Sequence, residues 1–275
     1  MKVKLFSISW LLIISLFFFN CGTAEDHDDR FKVDLPQPTN GNTGQSNPWE
    51  LIYQANIKSI PMVVIERCYL VANYCEDYGH GTGFVVADDI VATNLHVAEF
   101  YFLTETQTSP GDTIYYQLYA KYPATDSLDE NHFLPEDRYI TGIHSLTERD
   151  IALLQVETSN TQAISLDTNN YTDLQISDSV MIVSYPGFNE FVGSTGGIVQ
   201  LFQNNGLANW IADNTQLIEY DANTDNGSSG GPVFNLTGQV SGIHFAYIPT
   251  TDNPVAISVD YLKEIDFNKL VFETP

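Results

Sequence analysis

The sequence predicts an all-β protein, and three observations carry that prediction. After Pro48 the chain breaks into about a dozen short runs rich in Val, Ile, Tyr and Phe, residues that suit a pleated, half-buried surface. Gly, Asn, Asp and Pro punctuate the runs, as turn residues do. Strong helical periodicity is confined to Tyr261 to Val271, where Leu262, Ile265, Leu270 and Val271 share roughly one face.

The expected strands are Met62 to Val71, Gly83 to Val86, Ile90 to Thr93, Thr113 to Lys121, Arg138 to His144 and Ile151 to Val156 in the first half. In the second half they are Ser179 to Ser184, Gly197 to Phe202, Gln216 to Asp221, Pro232 to Phe234, Gln239 to Ile248 and Val255 to Val259. Many short strands at this spacing build a sandwich or barrels. A short helical turn is expected near Trp49 to Ala55. Tyr122 to Asp137 reads as a polar surface loop, and Asn204 to Asn214 as another turn-rich stretch. With 275 residues, 43% of them hydrophobic, the chain can fill one large domain or two small ones.

The first 48 residues are of another kind. Lys2 and Lys4 precede an uncharged apolar run, Leu5 to Phe19, too short for a comfortable membrane span and built like an export signal over residues 1–20. Asn20-Cys21-Gly22 closes it and resembles a bacterial lipoprotein signal, in which the Cys becomes the lipidated first residue. Asn20 and the bulky Phe18 and Phe19 depart from that pattern, and the alternatives are a plain cleaved signal or an uncleaved anchor. Residues 21–48, with EDHDD, PQPTN and GNTGQSNP, are too polar to bury a core and read as a flexible tether. The folded domain is therefore expected over 49–275, in the cell envelope or outside the cell.

Three cysteines in an exported protein leave one odd. Cys68 and Cys75 bracket YLVANY closely enough to staple a turn between two strands, so a disulfide is expected there, with two free buried thiols as the alternative. Cys21 is the remainder, and lipidation gives it a role. Without Lys2 and Lys4 the mature chain has nine basic residues against 35 acidic. That surface repels nucleic acid and anionic membrane, so no nucleic-acid partner is expected, and contact with a membrane is expected only through the lipid anchor. A monomer is expected.

Three motifs carry chemistry. GHGTGFVVADDIVATNLHVAE places His96 just beyond a strand. ERDIALLQVE places Asp150 directly before an apolar strand. DNGSSGGPVF places Ser229 in a glycine-dense turn leading into a strand. A serine hydroxyl needs an imidazole within reach to take its proton, and the imidazole needs a carboxylate to fix its tautomer. The developing oxyanion needs backbone N–H donors, for which Gly227 and Ser229 are the candidates. Each motif alone is common. Together, in the order His, Asp, Ser, they match the chymotrypsin-like proteases and not the subtilisin-like or α/β-hydrolase order.

On these residues the domain resembles the bacterial trypsin-like peptidases of the glutamyl-endopeptidase group and, more distantly, the periplasmic heat-shock-type proteases. TNLHV resembles their histidine motif and DIALLQV their Asp-strand motif. Ser184-Tyr185-Pro186-Gly187 matches their Gly-Tyr-Pro-Gly turn at three of four positions, and QLIEYDANTDNGSSGGPVF aligns with their serine motif. The resemblance implies two six-stranded antiparallel β-barrels, about 49–157 and about 165–260, with a closing helix over 261–271. It implies a serine endopeptidase acting through His96, Asp150 and Ser229, with protein or peptide substrates and no cofactor. Its register puts Ser229 at the reactive position and Ser228 at the variable one. A Ser there, on a tethered chain, argues against activation by insertion of a new N-terminus.

The group's pocket offsets fall on Thr224 and His244, which implies cleavage after Glu, with His244 as a polar or cationic donor. Phe245-Ala246-Tyr247 stands where the group has glycines opening the pocket mouth, which Tyr247 could partly occlude. The remaining histidines are assigned no chemistry. His80 reads as a surface turn residue, with a place near the cleft as the alternative; His27 lies in the tether, and His132 and His144 lie in or beside the long loop. None has metal-ligand spacing, and no metal is expected. The rival reading is a catalytically dead protease scaffold acting as a surface binding protein; a structural β-sandwich lipoprotein would leave all three motifs as coincidence.

Overall fold

The computed structural model describes residues 47–106, 113–123, 138–157, 162–187 and 190–274. The expected signal, Cys21 and most of the tether lie outside the described residues, as does most of the Tyr122 to Asp137 loop. The chain enters through helix α1 (Pro48–Asn56). Pro48 occupies its first turn, where a missing N–H costs nothing, and the Asn47 side chain accepts from the Trp49 N–H at 3.1 Å. Trp49, Ile52 and Tyr53 form its buried face.

The first half is β1 (Met62–Tyr69), β2 (Tyr74–Thr82), β3 (Phe84–Ala87), β4 (Ile90–Asn94), β5 (Thr104–Thr106), β6 (Thr113–Lys121), β7 (Arg138–Leu146) and β8 (Ile151–Val156), with the short helix α2 (Leu95–Ala98) after β4. The sheet order is β2-β1-β6-β7-β8-β4-β3, with β5 on β6. Its two end strands, β2 and β3, are joined by the single residue Gly83, so the sheet has to curl until its edges meet. Gly83 fits there because a Cβ would lie 2.5 Å from Val91 and 3.1 Å from both the Ala92 carbonyl and Val63. Eight strands replace the expected six, and β2 and β5 are the additions. Cys68 and Cys75 face each other directly across β1 and β2 and form the expected disulfide.

The second half is β9 (Ser179–Gly187), β10 (Glu190–Gln203), β11 (Gln216–Tyr220), β12 (Pro232–Phe234), β13 (Val240–Tyr247) and β14 (Pro254–Ser258). These six close into a barrel in the order β10-β11-β14-β13-β12-β9. The C-terminal helix is shorter than the apolar spacing predicts. It spans only Asp260–Lys263 (α3). The Asp266 side chain then accepts from the Asn268 N–H and starts a separate 3-10 turn, Phe267–Lys269. Beyond it the chain extends, and Glu273 exchanges backbone hydrogen bonds with Ile143 of β7 at 2.9 and 2.8 Å.

Strand alternation explains how the curled sheet and the barrel keep separate interiors and still share a third apolar cluster. Val63 and Ile65 fill the interior of the first half, while Met62 and Val64 point the other way. Val180 and Ile182 fill the interior of the second barrel, while Met181 and Val183 join Met62, Val64 and α1 in a common cluster. Fully burying one such side chain stabilises the fold by roughly 1.5–3 kcal/mol, so a shared cluster of this size holds the two halves in register.

Candidate active site

His96 lies in α2, directly after β4, and Asp150 lies directly before β8. Those two strands pair, Asn94 opposite Ile151, which brings the two side chains together. Asp150 has φ +52, a left-handed conformation that costs a side-chain-bearing residue about 1–2 kcal/mol and is repaid only where the surroundings fix it. Its carbonyl accepts from the Leu95 N–H and from Asn94 Nδ2, both at 3.1 Å. Its carboxylate accepts from the His96 N–H at 2.9 Å and from His96 Nδ1 at 2.7 Å. A carboxylate can only accept, so Nδ1 carries the proton and Nε2 is left as the basic nitrogen. Asp150 is buried, while the His96 side chain keeps 30% of its surface exposed.

Burial alone would lower the His96 pKa. The Asp150 carboxylate, by charge and hydrogen bond, outweighs it with a smaller contribution from Glu99, and the net shift is upward.

Ser229 sits in the second of two tandem turns that share Ser228. The Ser228 N–H reaches the Asp225 carbonyl at 2.9 Å, and the Gly231 N–H reaches the Ser228 carbonyl at 2.9 Å. The third residue of each turn is a glycine with positive φ, Gly227 at +94 and Gly230 at +86, as type II turns require. Neither tolerates a side chain. A Cβ on Gly227 would lie 2.2 Å from His80 Nε2, and one on Gly230 would lie 2.0 Å from the Thr82 carbonyl. The two serines differ sharply. Ser228 is fully buried, its Oγ accepting from Ser184 Oγ at 3.0 Å and from the Asp225 N–H at 3.2 Å. Ser229 is only partly buried. Gly81 lies between the two sides of the site: a Cβ there would sit 2.7 Å from Val97, next to His96, and 3.0 Å from the Ser229 carbonyl.

The expected pocket residues cluster around His244. Its backbone brackets the nucleophile turn, with Gly230 N–H to His244 C=O at 2.8 Å and His244 N–H to Gly231 C=O at 2.9 Å. Its ring is buried, with Nδ1 3.0 Å from the Tyr220 hydroxyl. Burial, reinforced by the nearby His96, pushes its pKa down to about 3. His244 is therefore held as a neutral imidazole at physiological pH, the polar and not the cationic form of the donor that the resemblance implies. Tyr247 packs edge-on against it, ring centres 5.6 Å apart, with its hydroxyl beside Thr224. Burial raises the Tyr247 pKa to about 12, so the phenol is neutral too.

Two residues that sequence reasoning missed hold this assembly. His80 is in β2, not in a surface turn, and its Nε2 lies 3.1 Å from the Tyr185 carbonyl. Thr82, two residues on and on the same face, accepts from the Tyr185 N–H at 3.0 Å. The strand alternation of GHGT was the available signal, hidden by glycines. Among the described residues, Glu66, Cys68 and Cys75 form one group with ligand atoms within 4.8 Å, but both sulfurs are in the disulfide.

A curled sheet beside a closed barrel, with the His–Asp pair on the first and the serine turn on the second, defines the chymotrypsin-like class of hydrolase fold. The chain belongs to the trypsin-like peptidase domain family, whose model matches residues 81–243, more than half of its length. It is 28% identical over 178 residues to a protein of Chlamydia pneumoniae described as a DegP-like periplasmic serine endoprotease, covering 64% of this chain and 30% of that one. It is 23% identical to the glutamyl endopeptidase of Staphylococcus aureus, covering 62% of this chain and 44% of that one. The chain thus spans less than half the length of these relatives. In fold it is similar to the active form of the Rv3671c protease from M. tuberculosis, with TM-score 0.56, 19% identity, and 82% and 86% of the two chains covered.

Proposed function

We propose that the protein is an exported serine endopeptidase in which Ser229 is the nucleophile, His96 the base and Asp150 the residue that orients it. The observation that carries the reading is the double grip of Asp150 on His96, through backbone N–H and Nδ1, which sets the tautomer a general base needs. In this mechanism Ser229 Oγ attacks the substrate carbonyl as His96 Nε2 takes its proton. The N–H groups of Gly227 and Ser229 receive the oxyanion. The C–N bond then breaks, His96 protonates the leaving amine, and water hydrolyses the acyl-enzyme by the same steps in reverse roles. No cofactor takes part in any step. The family relatives and the intact motif set favour this over a dead scaffold.

The finer features belong to the same reading. Residues 1–20 act as the export signal, Cys21 carries the lipid anchor, and 21–48 tether a domain spanning 49–275 in the cell envelope. No helix among the described residues is long and apolar enough to cross a membrane. For specificity, Thr224, His244 and Tyr247 offer hydroxyls and an imidazole without positive charge. Glu before the cut is preferred over Leu and, less strongly, over Gln, because a neutral donor's hydrogen bond to a carboxylate is charge-assisted and roughly twice as strong as one to an amide oxygen. The test is hydrolysis of matched Glu, Gln and Leu peptides by wild type and by Ser229→Ala. Loss of all turnover in Ser229→Ala, with Glu ahead of Leu, is the expected result. Turnover surviving in Ser229→Ala overturns the mechanism, and equal Glu and Leu rates overturn the specificity.

A further inference from the structure

We propose that Thr82 is a positioning residue for the nucleophile turn, holding the backbone on both sides of Ser228–Ser229 from the opposite half of the molecule. The inference rests on the reading of Ser229 as nucleophile. Thr82 is fully buried at the end of β2. Its Oγ1 donates to the Gly227 carbonyl at 2.8 Å, and its backbone N–H donates to the Ser229 carbonyl at 2.7 Å. Those two bonds fix the peptide planes 227–228 and 229–230. The plane between them, 228–229, carries the Ser229 N–H, and Ser229 Oγ projects from the same residue. One side chain and one backbone group of Thr82 thus set the direction of an oxyanion donor and of the attacking oxygen together.

The polarity of the contact is determined. Thr82 Oγ1 already accepts from the Tyr185 N–H, so its single proton is free to point at Gly227. Its carbonyl is in turn held by Thr93 Oγ1 at 2.7 Å, on β4, two residues from Leu95 and three from His96. A continuous line of hydrogen bonds therefore runs from the strand that delivers the base to the turn that delivers the nucleophile. The need for such a hold follows from Gly227 itself. A glycine populates positive and negative φ about equally, so its own conformational preference does not keep it at +94. His80 bounds the space behind it.

The test compares Thr82→Val, Thr82→Ala and Thr82→Ser on a peptide substrate, with thermal unfolding as a folding check. Removing an oxyanion donor outright costs on the order of 100- to 1,000-fold in kcat, and a misaligned one less. Thr82→Val is expected to lose about 10- to 100-fold in kcat with KM within about threefold of wild type, a split that loss of packing alone would not produce. Thr82→Ala gives the same result if the valine is not accommodated. Thr82→Ser, which keeps the hydroxyl, is expected within about threefold of wild type in kcat. The inference is overturned if folded Thr82→Val and Thr82→Ala keep wild-type kcat, or if Thr82→Ser falls as far as they do. A wild-type protein that shows no Ser229-dependent turnover overturns the underlying reading as well, which separates the two failures.

Discussion

The two sides of the site are made rigid by opposite means. On the first-half side, polar contacts do the work: through its carbonyl and carboxylate Asp150 binds the Leu95 and His96 N–H groups, the Asn94 side chain and the His96 ring in four hydrogen bonds, and carries its strained φ because of them. On the barrel side, the absence of side chains lets the turn take its shape, and Thr82 holds it there. Gly227 and Gly230 let the turn curl into a space already filled by His80, Tyr185, Thr82 and Thr93. The comparison teaches that a chemical change should disable the first side while leaving the fold intact. A steric change should disable the second by damaging the fold.

The largest effect is expected on the barrel side. Gly230→Ala puts a Cβ against the Thr82 carbonyl and Thr93 Oγ1 at a φ of +86, and should cost about 3 kcal/mol or more, with activity at background. Gly238→Ala is the control: its φ is +78, but the Cβ meets only the Ile52 side chain at 3.4 Å. It should cost about 1–2 kcal/mol in chemical denaturation and leave kcat unchanged. Equal damage from both would mean that crowding at the site is not what matters.

On the other side, Asp150→Asn should leave the fold intact and lower kcat/KM by about 10³- to 10⁴-fold. It also moves the pH profile. His96 acts as base when neutral, so kcat/KM should rise with pH through a pKa above the ordinary 6.5. Removing the carboxylate leaves burial as the main influence, so the rise should shift to lower pH. A rise that stays in place in Asp150→Asn would contradict the assigned cause.

Much of the site was legible because each motif is local. TNLHV, ERDIALL and DNGSSGG each state their role within a few residues, and the choice of Ser229 over Ser228 agrees with the burial of Ser228. What was missed depends on partners distant in sequence. β2, YCEDYGHGT, has no apolar alternation and is not among the expected strands. Its strand is imposed by pairing with β1 and by the disulfide, so Thr82 goes unseen and His80 reads as a turn residue. The closing helix was over-extended because apolar spacing does not register the Asp266 cap. The neutrality of His244 is a matter of burial that no motif displays.

The smallest effect is expected far from both sides. Replacing Cys68 and Cys75 together by Ser should cost about 2 kcal/mol, as a short closed loop predicts, and change kcat less than about twofold. A larger loss of kcat would mean that the disulfide end of β2 helps to set Thr82 at the other.

The central claim is that the less buried serine of the pair, Ser229, is the nucleophile, activated by the His96–Asp150 pair. The most direct measurement is reaction of wild type, Ser229→Ala and Ser228→Ala with a fluorophosphonate, followed by peptide mass mapping. The adduct should form on Ser229 in wild type, persist more weakly in Ser228→Ala and vanish in Ser229→Ala. An adduct on Ser228, or none in folded wild-type protein, would contradict the account.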